Sequence, residues 1–380
     1  PPARALTALP GPAAMKITDI RLHMLRVPLR TPFKTALRTV ERVEDVVVTI
    51  PTDTGHVGHG EETATAVITG DTHGAIVAAI AQVIAPRLVG QEIGDLNRLV
   101  RLVQTALVRN TSAKAAVEIA LYDLFAQLHG APLYRILGGG GEPVLATDLT
   151  ISVGDVDTMV ADAQAALARG FRALKVKVGQ DTALDLERIR AVHAAVDGRA
   201  TLRLDANQGW SPKQAVQTMR RLEDAGIQPE LLEQPVPAHD LQGLKFVTDR
   251  VAVPVMADES VFGPAELIEL IRMRAADIVN IKLMKTGGLS NAIRLADIAA
   301  LHGIDCMIGC MLESSISVAA AVHLAVAKAD AITKVDLDGP SLCAYDPVEG
   351  GVHFDGPTIT LGDAPGLGIV SIRDLVPLPA

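Results

Sequence analysis

The chain has 380 residues, 49% hydrophobic and 3% aromatic, which is long enough for one large α/β domain plus a smaller one and too apolar for a disordered chain. A formal net charge of −9 and a pI near 5.6 exclude the basic face that nucleic acid requires. Three cysteines without paired spacing (Cys306, Cys310, Cys343) argue against a disulfide framework and for a reducing, cytoplasmic setting.

Residues 1–14 read as a flexible extension, since "PPARALTALPGPAA" lacks the charged start and apolar core of a signal peptide. No apolar run reaches the roughly 18 residues that cross a bilayer, so no membrane partner is expected. From "MKITDIRLHMLRVPL" through "VEDVVVTIPTDTGHVGHGE", β-branched alternation with turn residues Asp53 to Gly55 predicts an antiparallel meander over 15–61. Amphipathic helices come next in "DTHGAIVAAIAQVIAPRLVG", "IGDLNRLVRLVQTAL" and "SAKAAVEIALYDLFAQLHG". Residues 15–135 therefore read as an α+β domain that "LGGGGEP" at 137–143 separates from the C-terminal two thirds of the chain.

Beyond that hinge, short apolar strands alternate with amphipathic helices. The strands are "LATDLTIS", "RALKVKV", "TLRLDA", "ELLE", "VPVMAD", "DIVNIKL", "IDCMIG" and "AITKVDL". Eight βα units across 136–340 match an α/β fold of the (β/α)8 barrel type, with an open doubly wound sheet as the alternative. Residues 341–380 form a C-terminal segment expected to return to the capping domain.

Charged residues close successive strands: Lys175 and Lys177, then Asp205, Glu233, Asp258 and Lys282. They recur every 24 to 28 residues counting from Lys177, one βα unit each time. In a barrel, all C-terminal strand ends surround one mouth, so these side chains converge there. Any one acidic residue after a strand could be a helix N-cap or a surface charge. Three in a row with only oxygen donors suit Mg²⁺, and like charges buried together are costly without a cation.

Lys175 and Lys177 stand at i and i+2 and so share a face. Mutual repulsion is expected to lower their pKa values, which makes a lysine usable as a general base. With Lys282 on the other side of the triad, an anionic substrate on Mg²⁺ would be open to proton removal from either face. The simpler alternative is that the lysines neutralise the triad.

The motifs "KVKV", "LDANQGW", "LLEQP", "MADES" and "NIKLMKTGG", in this order, resemble the enolase superfamily and specifically its muconate-lactonizing subgroup, from residue 15 to about 370. The resemblance implies one Mg²⁺ per subunit on Asp205, Glu233 and Asp258, with Lys177 and Lys282 as the acid/base pair. Lys175 would help position the substrate carboxylate. The shared step would be removal of the proton α to a carboxylate, with the metal stabilising the enediolate.

"KVDLDGP" places Asp336 and Asp338 at i and i+2, where two carboxylates can receive a substrate ammonium. With "GCMLES", this pattern is similar to the dipeptide epimerases. "PFKTALRT" resembles the loop of L-Ala-D/L-Glu epimerases in which an arginine meets the substrate's side-chain carboxylate, which assigns Arg38 that role. The same resemblance places "VITGDT" (67–72), Thr150, Met311 and Leu312 in the pocket wall; ordinary barrel packing is the alternative for the last three. It implies epimerisation of the C-terminal residue of a small-molecule dipeptide by a homo-oligomer. Competing readings are a cycloisomerase or dehydratase of the same subgroup, a Schiff-base lysine enzyme, and a catalytically silent carboxylate-binding barrel.

Overall fold

The computed structural model describes residues 14–379. The expected extension over residues 1–14 lies, apart from Ala14, outside the described residues. Strands β1 (Arg21–Lys34), β2 (Thr39–Pro51) and β3 (Val57–Thr63) form the expected antiparallel meander. On β2, alternate residues face opposite ways. Val46, Val48 and Ile50 pack with the helix Thr111–Leu128, whereas Val43 and Val47 pack with Leu312 and Ile316 of the barrel. Helix and sheet approach closely because β3 carries glycines: a Cβ at Gly58 or Gly60 would run into the carbonyl oxygen of Ala120 or Ala116.

Thr72 caps a helix that starts at His73 and runs through a π-helical stretch, Ala79–Ile84, to Leu88, and Asp95 caps Leu96–Gln104. The single strand expected over 145–152 is instead two. Strand β4 (Val144–Ala146) leaves the barrel, and β5 (Leu149–Ile151) enters it. Between them Thr147 and Asp148 turn their side chains to other strands, Thr147 Oγ1 accepting from Leu337 N and Asp148 Oδ2 from Arg203.

The barrel continues with β6 (Ala173–Lys177), β7 (Thr201–Asp205), β8 (Leu231–Glu233), β9 (Val255–Ala257), β10 (Ile278–Ile281), β11 (Asp305–Gly309) and β12 (Ile332–Asp336). With β5 they form eight parallel strands in sequence order, so the doubly wound alternative is wrong: such a sheet would reverse its order at a switch point. β13 (Val348–Gly350), β14 (Val352–Asp355), β15 (Thr358–Leu361) and β16 (Ile369–Ile372) come after the barrel, with β15 pairing with β4. β17 (Val376–Pro377) then pairs with β1. No described helix is long and apolar enough to cross a membrane.

Acidic side chains of the N-terminal region dock onto barrel helices at their N-terminal ends. Glu61 Oε2 accepts from Ser317 N and Oγ in the first turn of Ser315–Ala327. Glu118 accepts from Ser290 N and Oγ in the first turn of Leu289–Leu301. Unsatisfied helix N–H groups and the positive end of the helix dipole favour carboxylates there.

Candidate active site

Lys177, Asp205 and Glu233 are neighbours in register across β6, β7 and β8. Asp258 lies just past the end of β9, and Lys282 just past β10 as the N-cap residue of the short helix Leu283–Thr286. All five are buried, as is Lys175. The loops that carry them are held in unusual conformations: Asn207, Gln208 and Gln234 all have positive φ. Such strain collects at functional sites when surroundings enforce it. Gln234 is fastened on both sides, its Oε1 accepting from Asp258 N and Ser260 N and its Nε2 donating to Val236 O and Ser260 Oγ.

Each lysine sits on carboxylate oxygen. Lys177 Nζ is 2.6 Å from Asp205 Oδ2, and Lys282 Nζ is 2.8 Å from Asp258 Oδ2. Lys175 Nζ lies 2.6 Å from Asp336, 2.8 Å from Glu233 and 3.4 Å from Asp205. This corrects the expectation that Lys175 is depressed by its neighbouring lysine. Burial does pull Lys175 down, but Asp336, Glu233 and Asp205 outweigh it and hold its pKa well above the ordinary lysine value. Lys282 is likewise raised, burial being outweighed by Asp258.

Among the described residues, no three acidic, histidine or cysteine side chains are already gathered around one point; the ammonium groups stand between the carboxylates. The donor set nevertheless fits a hard divalent cation, being three carboxylates on adjacent strands. Burial, together with Asp205 and Asp258, drives Glu233 up to about 7 even beside Lys175. A cation would relieve that cost.

Asp336 and Asp338 both line the cavity, with Thr150 N donating to Asp338 Oδ2 at 2.7 Å. Burial and the neighbouring Asp336 push Asp338 up to about 6. Arg38 lies at the tip of the β1–β2 hairpin, half-buried, and among the described residues no carboxylate is within ion-pair distance of it. Phe33, Val67, Ile68, Met311 and Leu312 complete the wall. Of the "VITGDT" stretch only Val67 and Ile68 face the cavity; Asp71 accepts from Ser112 N and Thr72 caps a helix. The cavity holds about 50 Å³, well below the ~300 Å³ of a small ligand pocket, and residues 33–38 of the hairpin and 67–68 of the following loop line it. A far larger cavity, about 850 Å³, is a groove along the C-terminal segment away from the lysines and the triad.

Sequence reasoning missed several residues here. Lys285 is fully buried, its Nζ 2.5 Å from Asp258 Oδ1 and 2.9 Å from Asn280 O. Asn280 Nδ2 donates to Glu233 Oε1, and Asn207 Nδ2 to Glu259 Oε1. Asn280 was findable, since it stands two before Lys282 on one face.

The family profile for the enolase C-terminal domain-like fold matches residues 158–374, and that for the mandelate racemase / muconate lactonizing enzyme N-terminal domain matches 17–138. The chain belongs to the mandelate racemase / muconate lactonizing enzyme family. Within that family it is similar to the L-Ala-D/L-Glu epimerase of Clostridium acetobutylicum, 50% identical over 360 residues, which is 95% of this chain and 100% of that one. It superposes on a substrate-liganded L-Ala-D/L-Glu epimerase from Bacillus subtilis with a TM-score of 0.92 and 47% identity, covering 94% of this chain and 99% of that one. A dipeptide epimerase from Enterococcus faecalis, complexed with Mg and L-Leu-L-Tyr, gives a TM-score of 0.90 at 38% identity, covering 94% and 100%.

Proposed function

We propose that this chain is a Mg²⁺-dependent dipeptide epimerase that interconverts L-Ala-L-Glu and L-Ala-D-Glu. The observation that carries it is the placement of Lys177 and Lys282 on different carboxylates of one buried triad, Asp205 and Asp258 respectively. Asp205, Glu233 and Asp258 would hold the cation, which supplies positive charge to the substrate carboxylate and so acidifies the α C–H.

With Asp205 and Asp258 given over to the cation, the ion pairs that hold the lysines protonated would be lost; one lysine, then neutral, takes the α proton as the Cα–H bond breaks and N–H forms. The other, charged, delivers a proton to the opposite face, and the configuration inverts. Either lysine can begin, so both isomers are substrates. Lys175 directs its ammonium at the substrate carboxylate. Asp336 and Asp338 receive the N-terminal ammonium by charge-assisted hydrogen bonds, and Arg38 meets the Glu side chain as the hairpin closes. Thr150, Met311 and Leu312 shape the wall.

The same reading makes the protein cytoplasmic, which three buried, unpaired cysteines support, and a homo-oligomer. Chiral separation of product from L-Ala-D-Glu with Mg²⁺ tests the proposal. Appearance of the L,L isomer is expected. Turnover only of a diacid lacking an amine would favour a cycloisomerase instead.

A further inference from the structure

The lower layer of the barrel interior has two unlike halves. On one side the inward residues of this layer are apolar: Leu231 and Met256, two places before Glu233 and Asp258, form a small cluster of their own with Ile278 and Met307 of the next two strands. Such a filling is usual in these barrels. On the other side the positions two before Asp205, Thr150 and Asp336 hold Arg203, Asp148 and Lys334. Arg203 and Asp148 are buried, 8% and 1% exposed. A charge beneath the mouth is costly unless fully partnered, so its bonds show what it holds.

Those bonds run to the seam between β12 and β5. Every other adjacent strand pair in the barrel shares a backbone ladder, whereas β12 and β5 share none among the described residues and are joined there by one long backbone hydrogen bond, Asp148 N to Val335 O at 3.4 Å. Arg203 Nη1 instead bridges the gap, donating to Asp148 Oδ2 at 2.7 Å and to Val335 O at 3.0 Å, while its Nε donates to Glu230 Oε2 at 2.7 Å. Leu337 N donates to Thr147 Oγ1, and Thr150 N to Asp338 Oδ2. Val335 and Leu337 alternate with Asp336 and Asp338, the two carboxylates assigned to the substrate ammonium. One edge of β12 is laddered to β11 at Val335 and Asp336, so the placement of both carboxylates depends on the other edge chiefly through these side-chain bonds.

We infer that Arg203 and Asp148 are a positioning pair for the ammonium subsite: by tying Val335 to β5 and β7 they fix Asp336 and Asp338 where the N-terminal ammonium of a dipeptide is read. The inference rests on the ammonium assignment proposed above. Neither residue touches substrate; they act through β12. Losing either partner loosens the seam and blunts the recognition of the ammonium while leaving the lysines and the triad in place on their own laddered strands.

The test compares L-Ala-L-Glu with N-propionyl-L-Glu, the same skeleton with hydrogen in place of the ammonium, each followed by α-deuterium exchange in D₂O with Mg²⁺. The readout is the ratio of kcat/KM between the two. For Arg203→Met and Asp148→Asn the ratio should fall at least tenfold, through a higher KM for L-Ala-L-Glu with kcat nearly unchanged, and Arg203→Lys should recover part of it. Circular dichroism checks folding, and if Arg203→Met does not fold, Asp148→Asn, which keeps shape and an acceptor oxygen, decides alone. An unchanged ratio, or equal losses for both substrates, overturns the positioning role. A wild-type ratio near one overturns the ammonium assignment itself, and the positioning role with it.

Discussion

Lys177 is the in-register partner of Asp205 across β6 and β7, and its Nζ lies 2.6 Å from Asp205 Oδ2. On the proposed reading a base is thereby held against a carboxylate assigned to the metal, and the substrate's α carbon would come to rest beside both. Lys282 repeats the arrangement with Asp258. Removing either ammonium breaks the two-faced proton transfer. Lys177→Ala and Lys282→Ala should each lower kcat for epimerisation by about 10² to 10⁴-fold, the usual worth of a general acid or base. Each variant should retain α-proton exchange from at most one isomer. Epimerisation at the wild-type rate by either would remove that lysine from the mechanism.

The triad can be tested apart from turnover. Asp205→Asn, Glu233→Gln and Asp258→Asn should each weaken Mg²⁺ binding by calorimetry and abolish activity while the far-UV spectrum is kept, because the three carboxylates stand at the C-terminal strand ends and not among the packed apolar residues of the core. Excess EDTA should silence the wild type. Full activity in EDTA would contradict the metal assignment.

The strand ends were legible because two periods coincide: side chains of a strand alternate with period two, and strands of this barrel recur every 24 to 28 residues. Lys175, Lys177, Asp205, Glu233, Asp258 and Lys282 satisfy both. Lys285 lies in the short helix after β10, where no strand period applies, and its role appears only once Asp258 is seen beside it. Asp148 was hidden inside an apparently continuous strand, since propensity cannot register that its side chain is drawn across a seam to Arg203. The sign of the Lys175 shift was misjudged for a related reason. Its neighbour in sequence is a cation, but its neighbours in space are Asp336, Glu233 and Asp205.

Arg38 carries the specificity claim. A buried charged pair broken by truncating one partner typically costs about 2 to 5 kcal/mol. Arg38→Met should therefore lower kcat/KM for L-Ala-L-Glu by a factor of about 30 to several thousand. L-Ala-L-Met should lose far less. Equal losses for the two substrates would mean that Arg38 only supports the hairpin.

His323 sets part of the acid stability. Its Nδ1 accepts from Tyr134 N at 3.0 Å, and burial lowers its pKa from 6.5 to about 4. The unfolded chain protonates this ring below pH ~6.5 and the folded chain only below ~4, so its contribution is complete above that window and is lost as pH falls through it. At about 1.4 kcal/mol per pKa unit this amounts to roughly 3 to 4 kcal/mol at most. Urea melts of wild type and His323→Asn at several pH values from 7 to 4 should converge as pH falls. Parallel curves would contradict the assignment.

The central claim is proton exchange at one carbon, and the most direct measurement is the deuterium content of that carbon. L-Ala-L-Glu and L-Ala-D-Glu, each incubated separately with enzyme and Mg²⁺ in D₂O, are followed by mass spectrometry and proton NMR. The account predicts a single deuterium at the α carbon of the Glu residue from either isomer, none at the α carbon of Ala, and appearance of the other diastereomer. No deuterium in either dipeptide with Mg²⁺ present would contradict it.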